Sequence, residues 1–156
     1  MTDRFLTREM LAVDLGAVLA IEQNAQPSPW ARLSFEESLA KQHCCRVVCR
    51  TNNDQDIVAY HVVCPVSDEL HILNLVVARE WQGQGIAHIL MHDVIAIATD
   101  FDQITKIFLE VRSNNKAAQN LYRQWQFEQI AVRKNYYRGG PEQGREDALV
   151  LVKKLN

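Results

Sequence analysis

The chain has 156 residues and a mass of 17.9 kDa, a size that buries roughly two-thirds of its unfolded surface and predicts one domain over residues 1–156. Apolar residues are 47% and charged residues 23%, which excludes disordered and fibrous chains. The net charge of −2 and a pI near 6.2 exclude a general nucleic-acid binder that works through a basic surface.

The opening MTDRFLTREM lacks the apolar stretch of a signal peptide, and no run approaches the ~20 apolar residues of a membrane span. A cytoplasmic protein with no membrane partner is expected. After Arg4–Arg8 a first helix is predicted, with Leu11, Leu15, Val18, Leu19 and Ile21 mostly on one face. Pro27 and Pro29 end it. Ser34-Phe35-Glu36-Glu37 has the spacing of a capping box, which starts a second short helix that stops before Cys44. Arg46–Cys49 and Ile57–Val63 read as strands around the polar turn Thr51–Asp54, and a third strand runs from about Glu69 to Val77. A helix opens at Gly83-Gln84-Gly85, with Ile86, Leu90, Val94 and Ile97 as its core stripe. Ile107–Val111 is a buried strand, and Asn115 in Ser113-Asn114-Asn115 caps a helix to about Gln124. Glu128–Tyr137 and Ala148–Val152 are the last strands, joined by a loop through Gly139-Gly140-Pro141. The order β-α-α-β-β-β-α-β-α-β-β predicts an α/β chain, a mixed sheet covered by helices.

Cys44, Cys45, Cys49 and Cys64 form no C-x-x-C pair and read as reduced core thiols. His88 and His92 share a helix face but lack the glutamate of an H-E-x-x-H site, and His43, His61 and His71 form no triad with a nucleophile. No metal is expected.

The most informative junction is Gln82-Gly83-Gln84-Gly85-Ile86-Ala87, where a strand feeds directly into a helix N-terminus. Free N–H groups and the positive dipole end there attract phosphate, although the same sequence also suits a tight turn without a ligand. The P-loop pattern is absent, and His88 stands where a dinucleotide fingerprint needs its third glycine. Glu110 closes the apolar run Ile107-Phe108-Leu109, which makes it either a solvated strand-end carboxylate or a general base acting through water. Tyr122 follows Asn115 by seven residues, two helical turns, so both occupy one helix face. By itself that is equally a packing tyrosine.

Gln82-x-x-Gly85-x-Ala87 resembles the Q/R-x-x-G-x-G/A pyrophosphate loop of the GNAT superfamily of N-acetyltransferases. Further matches run along nearly the whole chain in order. They are Pro29-Trp30, Ile72-Leu73-Asn74-Leu75-Val76-Val77, Leu109-Glu110-Val111-Arg112-Ser113-Asn114-Asn115, Leu121-Tyr122, Arg133-Lys134-Asn135-Tyr136-Tyr137 and Gly144-Arg145-Glu146-Asp147-Ala148. Together they resemble the bacterial branch that acetylates the N-terminal alanine of a ribosomal protein. The resemblance implies the GNAT fold, a central mixed sheet of about six to seven strands flanked by about four helices, and acetyl-CoA as co-substrate. It implies Glu110 as proton acceptor and Tyr122 as proton donor to the CoA thiolate. It also implies that the cofactor lies along Leu75, Val76 and Val77, over Gly83, Gln84, Gly85, Ile86, Ala87 and His88, and beside Asn115. Trp30, Tyr136 and Tyr137 would flank a groove for the protein N-terminus, with Arg145-Glu146-Asp147 shaping it or remaining a solvated edge. Acetylation of a lysine or a small-molecule amine, or a silent acyl-CoA-binding module, are the alternatives, and a monomer is expected. Two positions depart from the family pattern. Gln126 replaces the glycine that usually ends the Tyr122 helix, so it must bear a left-handed backbone or the helix must end differently. His88 stands where a basic residue often closes the phosphate loop.

Overall fold

The computed structural model describes residues 4–137 and 144–155; the expected loop through Gly139-Gly140-Pro141 lies outside them. The strands are β1 (Phe5–Glu9), β2 (Cys44–Arg50), β3 (Asn53–Val66), β4 (Glu69–Val77), β5 (Lys106–Arg112), β6 (Glu128–Tyr137) and β7 (Glu146–Lys154). The helices are α1 (Leu15–Ala25), α2 (Arg32–Ala40), α3 (Ile86–Asp100) and α4 (Lys116–Gln124), with short 3-10 turns at Ala12–Asp14 and Arg79–Trp81. The seven strands form one sheet in the order β1-β2-β3-β4-β5-β7-β6, in which only the β4–β5 pair is parallel. This is the α/β mixed sheet with four helices that the sequence predicts. Among the described residues no helix is long and apolar enough to cross a membrane.

Side-chain alternation along the strands divides the core between the two faces. Leu15 and Val18 of α1 and Phe35 of α2 pack with Val47, Tyr60 and Val62. On the other face Met91, Val94 and Ala98 of α3 and Tyr122 of α4 pack with Val63, Ile107 and Leu109. In α3 the stripe is completed by Met91 and Ala98, while Ile97 is only half-buried. Cys45 and Cys49 are buried, Cys44 and Cys64 are half-buried, and all four thiols are free.

Two helix starts differ from expectation. Leu11 lies outside α1 and is largely exposed. Asp14 accepts the Leu11 N–H at 2.7 Å and pairs with Arg8 at 2.8 Å, which holds a 3-10 turn ahead of the helix. The capping box at Ser34 is not formed: α2 begins at Arg32 with Ala31 as its N-cap and no side-chain cap. The apolar pair that brackets the cap decides the start. Trp30 precedes it and Phe35 is the fourth helical residue, with ring centroids 5.0 Å apart, a hydrophobic staple. β3 and β2 also run further than their apolar cores, so Asn53 and Asp54 belong to a strand rather than to the turn.

The feature that positions the site is the short β4–β5 ladder. It joins Glu69–Ile72 to Lys106–Leu109 and stops there. Asn74 lies opposite Val62 and Ile72 opposite Val63, so Leu73 is the extra residue of a bulge in β4. The two strands separate beyond it, and the sheet opens between Leu75–Val77 and the end of β5.

Candidate active site

Antiparallel pairing fixes which backbone groups line this opening. Ala78 N–H bonds Val58 carbonyl at 2.8 Å, in the same register as Val76 opposite Tyr60 and Leu75 opposite His61. Hydrogen-bonding direction alternates along a strand. The backbone of Val76 is therefore used on β3, while Leu75 and Val77 turn their N–H and C=O groups toward the gap. Gln82 Nε2 reaches the Val77 carbonyl at 3.1 Å, as this alternation requires.

The gap continues over the start of α3 as a cavity of about 750 Å³. Gly83 and Gly85 have φ of +78° and +85°, a left-handed backbone that glycine adopts without strain. Nothing lies within 4 Å of where a Cβ would sit on either. They leave an open cradle above the first turn of α3, where the His88 N–H bonds the Gly85 carbonyl at 3.1 Å and the N–H groups ahead of it have no carbonyl a turn earlier to reach. Ile86, Ala87 and His88 line it as well, while Gln84 is exposed and off the wall. Trp125 Nε1 donates to His88 Nδ1 at 3.0 Å. Indole is only a donor, so that bond places the His88 proton on Nε2. Among the described residues no cluster suited to a metal ion occurs.

A second cavity of about 380 Å³ lies beyond the end of the β4–β5 ladder and carries Trp30, Glu110, Tyr136 and Tyr137 in its wall. The two cavities share Gln26, Leu75, Asn115, Ala118 and Tyr122. Asn115 Oδ1 accepts the Ala118 N–H at 3.1 Å, so it is a helix cap whose amide NH2 is left for a ligand. Tyr122 is only 6% exposed. Burial, then Tyr137, pushes its hydroxyl above the usual tyrosine range, which keeps it protonated. Tyr137 is pushed up to about 12 by burial, Glu110 and Tyr136. Glu110 Oε2 is enclosed and accepts no hydrogen bond; Arg133 Nε lies 3.1 Å away, in ion-pair range but off the bonding direction. A lone pair on Glu110 is therefore open to a proton.

The end of α4 explains how Tyr122 is held. Gln126 has φ +68°, Phe127 N–H bonds the Tyr122 carbonyl at 3.0 Å, and Gln126 N–H bonds the Arg123 carbonyl at 3.0 Å. These are the two bonds of a Schellman motif, and its apolar contact is Phe127 against Tyr122, centroids 5.5 Å apart. Gln126 thus bears the left-handed conformation that glycine would adopt freely. Glu146 accepts Asn114 N–H at 2.7 Å and Arg112 at 3.2 Å, and Asp147 accepts Asn135 N–H at 2.9 Å. Those carboxylates tie the ends of β5, β6 and β7 together behind the smaller cavity.

Sequence reasoning missed Glu22, Gln26 and Asn74. Glu22 Oε1 accepts Tyr60 O–H at 2.5 Å and Asn74 Nδ2 at 3.1 Å, Oε2 accepts Trp30 N–H at 2.9 Å, and Asn74 Oδ1 accepts Gln26 Nε2 at 3.2 Å. The available signal was positional: Glu22 follows Leu15 and Val18 on the core-facing side of α1, where an unpaired charge is costly.

Residues 15–127 match the Acetyltransferase (GNAT) family, and the chain belongs to it. The ribosomal protein bS18-alanine N-acetyltransferase of Haemophilus ducreyi is 32% identical over 139 residues, 89% of this chain and 92% of the relative. That of Escherichia coli is 29% identical over 144 residues, 89% of this chain and 90% of the relative. The crystal structure of the Escherichia coli ribosomal-protein-S18-alanine N-acetyltransferase superposes with a TM-score of 0.85 at 26% identity, covering 97% of this chain and 94% of the other.

Proposed function

We propose that this protein transfers the acetyl group of acetyl-CoA to the N-terminal α-amine of a protein, with alanine first and a ribosomal protein as the partner. What carries this reading is the meeting of two cavities at Leu75, Asn115 and Tyr122, one with a phosphate cradle and the other with a carboxylate open to a proton. In the larger cavity the first-turn N–H groups of α3 and the glycine cradle hold the pyrophosphate. The Leu75 and Val77 backbone groups hold the pantetheine arm and polarise the thioester carbonyl, as fixed donors do for a developing oxyanion. In the smaller cavity Glu110 takes a proton from the ammonium, directly or through one water. The freed amine forms the new C–N bond as the C–S bond breaks, Tyr122 gives its proton to the departing thiolate, and the second proton that the nitrogen sheds restores the Tyr122 hydroxyl by way of solvent. Trp30, Tyr136 and Tyr137 wall the peptide groove.

Turnover with acetyl-CoA against a panel of N-terminal peptides and an α-blocked lysine peptide tests this. Fastest reaction on an N-terminal alanine is expected. Equal or faster acetylation of the lysine peptide assigns a broader amine acceptor instead, and failure to bind CoA removes the reading altogether.

A further inference from the structure

Three charged side chains stand in the wall of the smaller cavity: Glu22, Glu110 and Arg112. Two of them are balanced, Glu110 by Arg133 at 3.1 Å and Arg112 by Glu146 at 3.2 Å. Glu22 has no cation within ion-pair distance among the described residues, and it is only 1% exposed. Its oxygens instead accept three bonds from uncharged donors, Tyr60 O–H, Asn74 Nδ2 and Trp30 N–H. A carboxylate that only accepts needs no proton of its own. Neutral dipoles satisfy its lone pairs without cancelling its charge, and low-dielectric walls focus that charge into the cavity. Burial, then the neighbouring Glu22, pushes the Tyr60 hydroxyl above the tyrosine range, so Tyr60 stays a donor.

The acceptor amine enters this groove as a cationic ammonium and leaves as a neutral amide. We infer that Glu22 is the charge by which the groove tells substrate from product: it draws in the free α-ammonium of a peptide and has no hold on the acetylated end. This rests on the peptide-groove reading above. Glu22 is a positioning residue, already bonded on both oxygens, whereas Glu110 has the open lone pair. Its charge also opposes loss of the ammonium proton, so neutralising it weakens peptide binding without slowing the chemical step.

The test compares a peptide beginning with a free alanine amine and its N-acetylated counterpart, both titrated calorimetrically into the CoA-bound enzyme. Wild type should prefer the free amine by at least about tenfold, a typical effect of removing one complementary charge. Glu22→Gln should bring the two affinities to within about threefold and raise the peptide KM about tenfold. It should leave kcat undiminished and CoA affinity unchanged. Tyr60→Phe removes a donor but keeps the charge, and should retain the preference. An unchanged preference in Glu22→Gln overturns the inference. So does its loss in Tyr60→Phe, where geometry alone would be responsible, a result that decides the matter even if Glu22→Gln does not fold. A wild type that binds neither peptide overturns the peptide reading itself.

Discussion

At the scale of single residues, the proposed reaction rests on Glu110 and Tyr122. Both lie in the wall of the smaller cavity, and only Tyr122 also lines the larger one. Glu110→Gln keeps shape but cannot take a proton, and Tyr122→Phe removes one hydroxyl. Each should lower kcat by roughly 10²–10⁴-fold, leave CoA affinity unchanged and leave thermal stability nearly so, because both swaps are almost isosteric. Steady-state kinetics with an N-terminal alanine peptide checks this. Wild-type kcat in both variants would leave backbone polarisation and solvent proton transfer as the mechanism. Burial keeps the Tyr122 proton in place well above neutral pH, so the alkaline side of the wild-type profile should stay flat through the range where an ordinary tyrosine ionises. Glu110 and Tyr122 stand out as candidates because each sits in a motif of specific spacing, and the fold brings both to one cavity wall. Glu22 does not stand out in the sequence. Its surroundings come from α1, the stretch before α2, β3 and β4, which only the folded chain brings together.

At the scale of elements, local chemistry was read correctly where one residue does the capping. Asn115 sits directly before α4 and its side chain caps it. Ser34 has equally good cap chemistry, yet Trp30 and Phe35 set the start of α2 through a contact that a polar pattern does not reveal. Ser34→Ala should therefore change stability by less than about 0.5 kcal/mol, against the ~1 kcal/mol of a true N-cap. The opposite holds at the end of α4. Gln126 is the residue just past the C-cap in a Schellman motif, with a side chain in the wrong half of backbone space, at a cost of roughly 1–2 kcal/mol. Gln126→Gly relieves that cost but gains freedom in the unfolded chain, so a net stabilisation of about 0.5–1 kcal/mol is expected. Chemical denaturation of the two variants beside wild type measures both. A destabilised Gln126→Gly would mean that the side chain contributes something the backbone geometry does not account for.

At the scale of the whole molecule, two ties hold what the sheet does not. The first joins β1 to the start of α1. Arg8 forks onto both oxygens of Asp14 at 2.8 and 2.9 Å and also reaches the Asp54 carbonyl at 2.8 Å. The Arg8 hydrogen bonds, and then the Leu11 N–H, hold the Asp14 carboxyl below its ordinary range. A carboxyl lowered by folding adds stability that is complete above its unfolded value, near 3.9, and is lost as pH falls through the lowered one. Melting temperature should thus hold down to about pH 5 and fall below about pH 4. In Asp14→Asn that part of the acid loss should disappear while stability at neutral pH drops. The second tie is the proposed substrate itself. Beyond Ile72 and Leu109 no ladder joins β4 to β5, and the cavity between them is walled by backbone from one side and by α4 from the other. A ligand bound there only in the folded state stabilises by mass action, about 2.7 kcal/mol at a hundredfold excess over Kd. For a chain of this size that is a rise in Tm of roughly 5–10 °C. Gly85→Val places a β-branched side chain at φ +85° and into the space above the α3 N-terminus. It should lower the Tm of the free protein through backbone strain and abolish most of the acetyl-CoA shift by filling the cradle. Gly16→Ala, at a helical position with nothing within 4 Å, is the matched control and should keep the full shift. An undiminished shift in Gly85→Val would place the phosphates somewhere other than the first turn of α3.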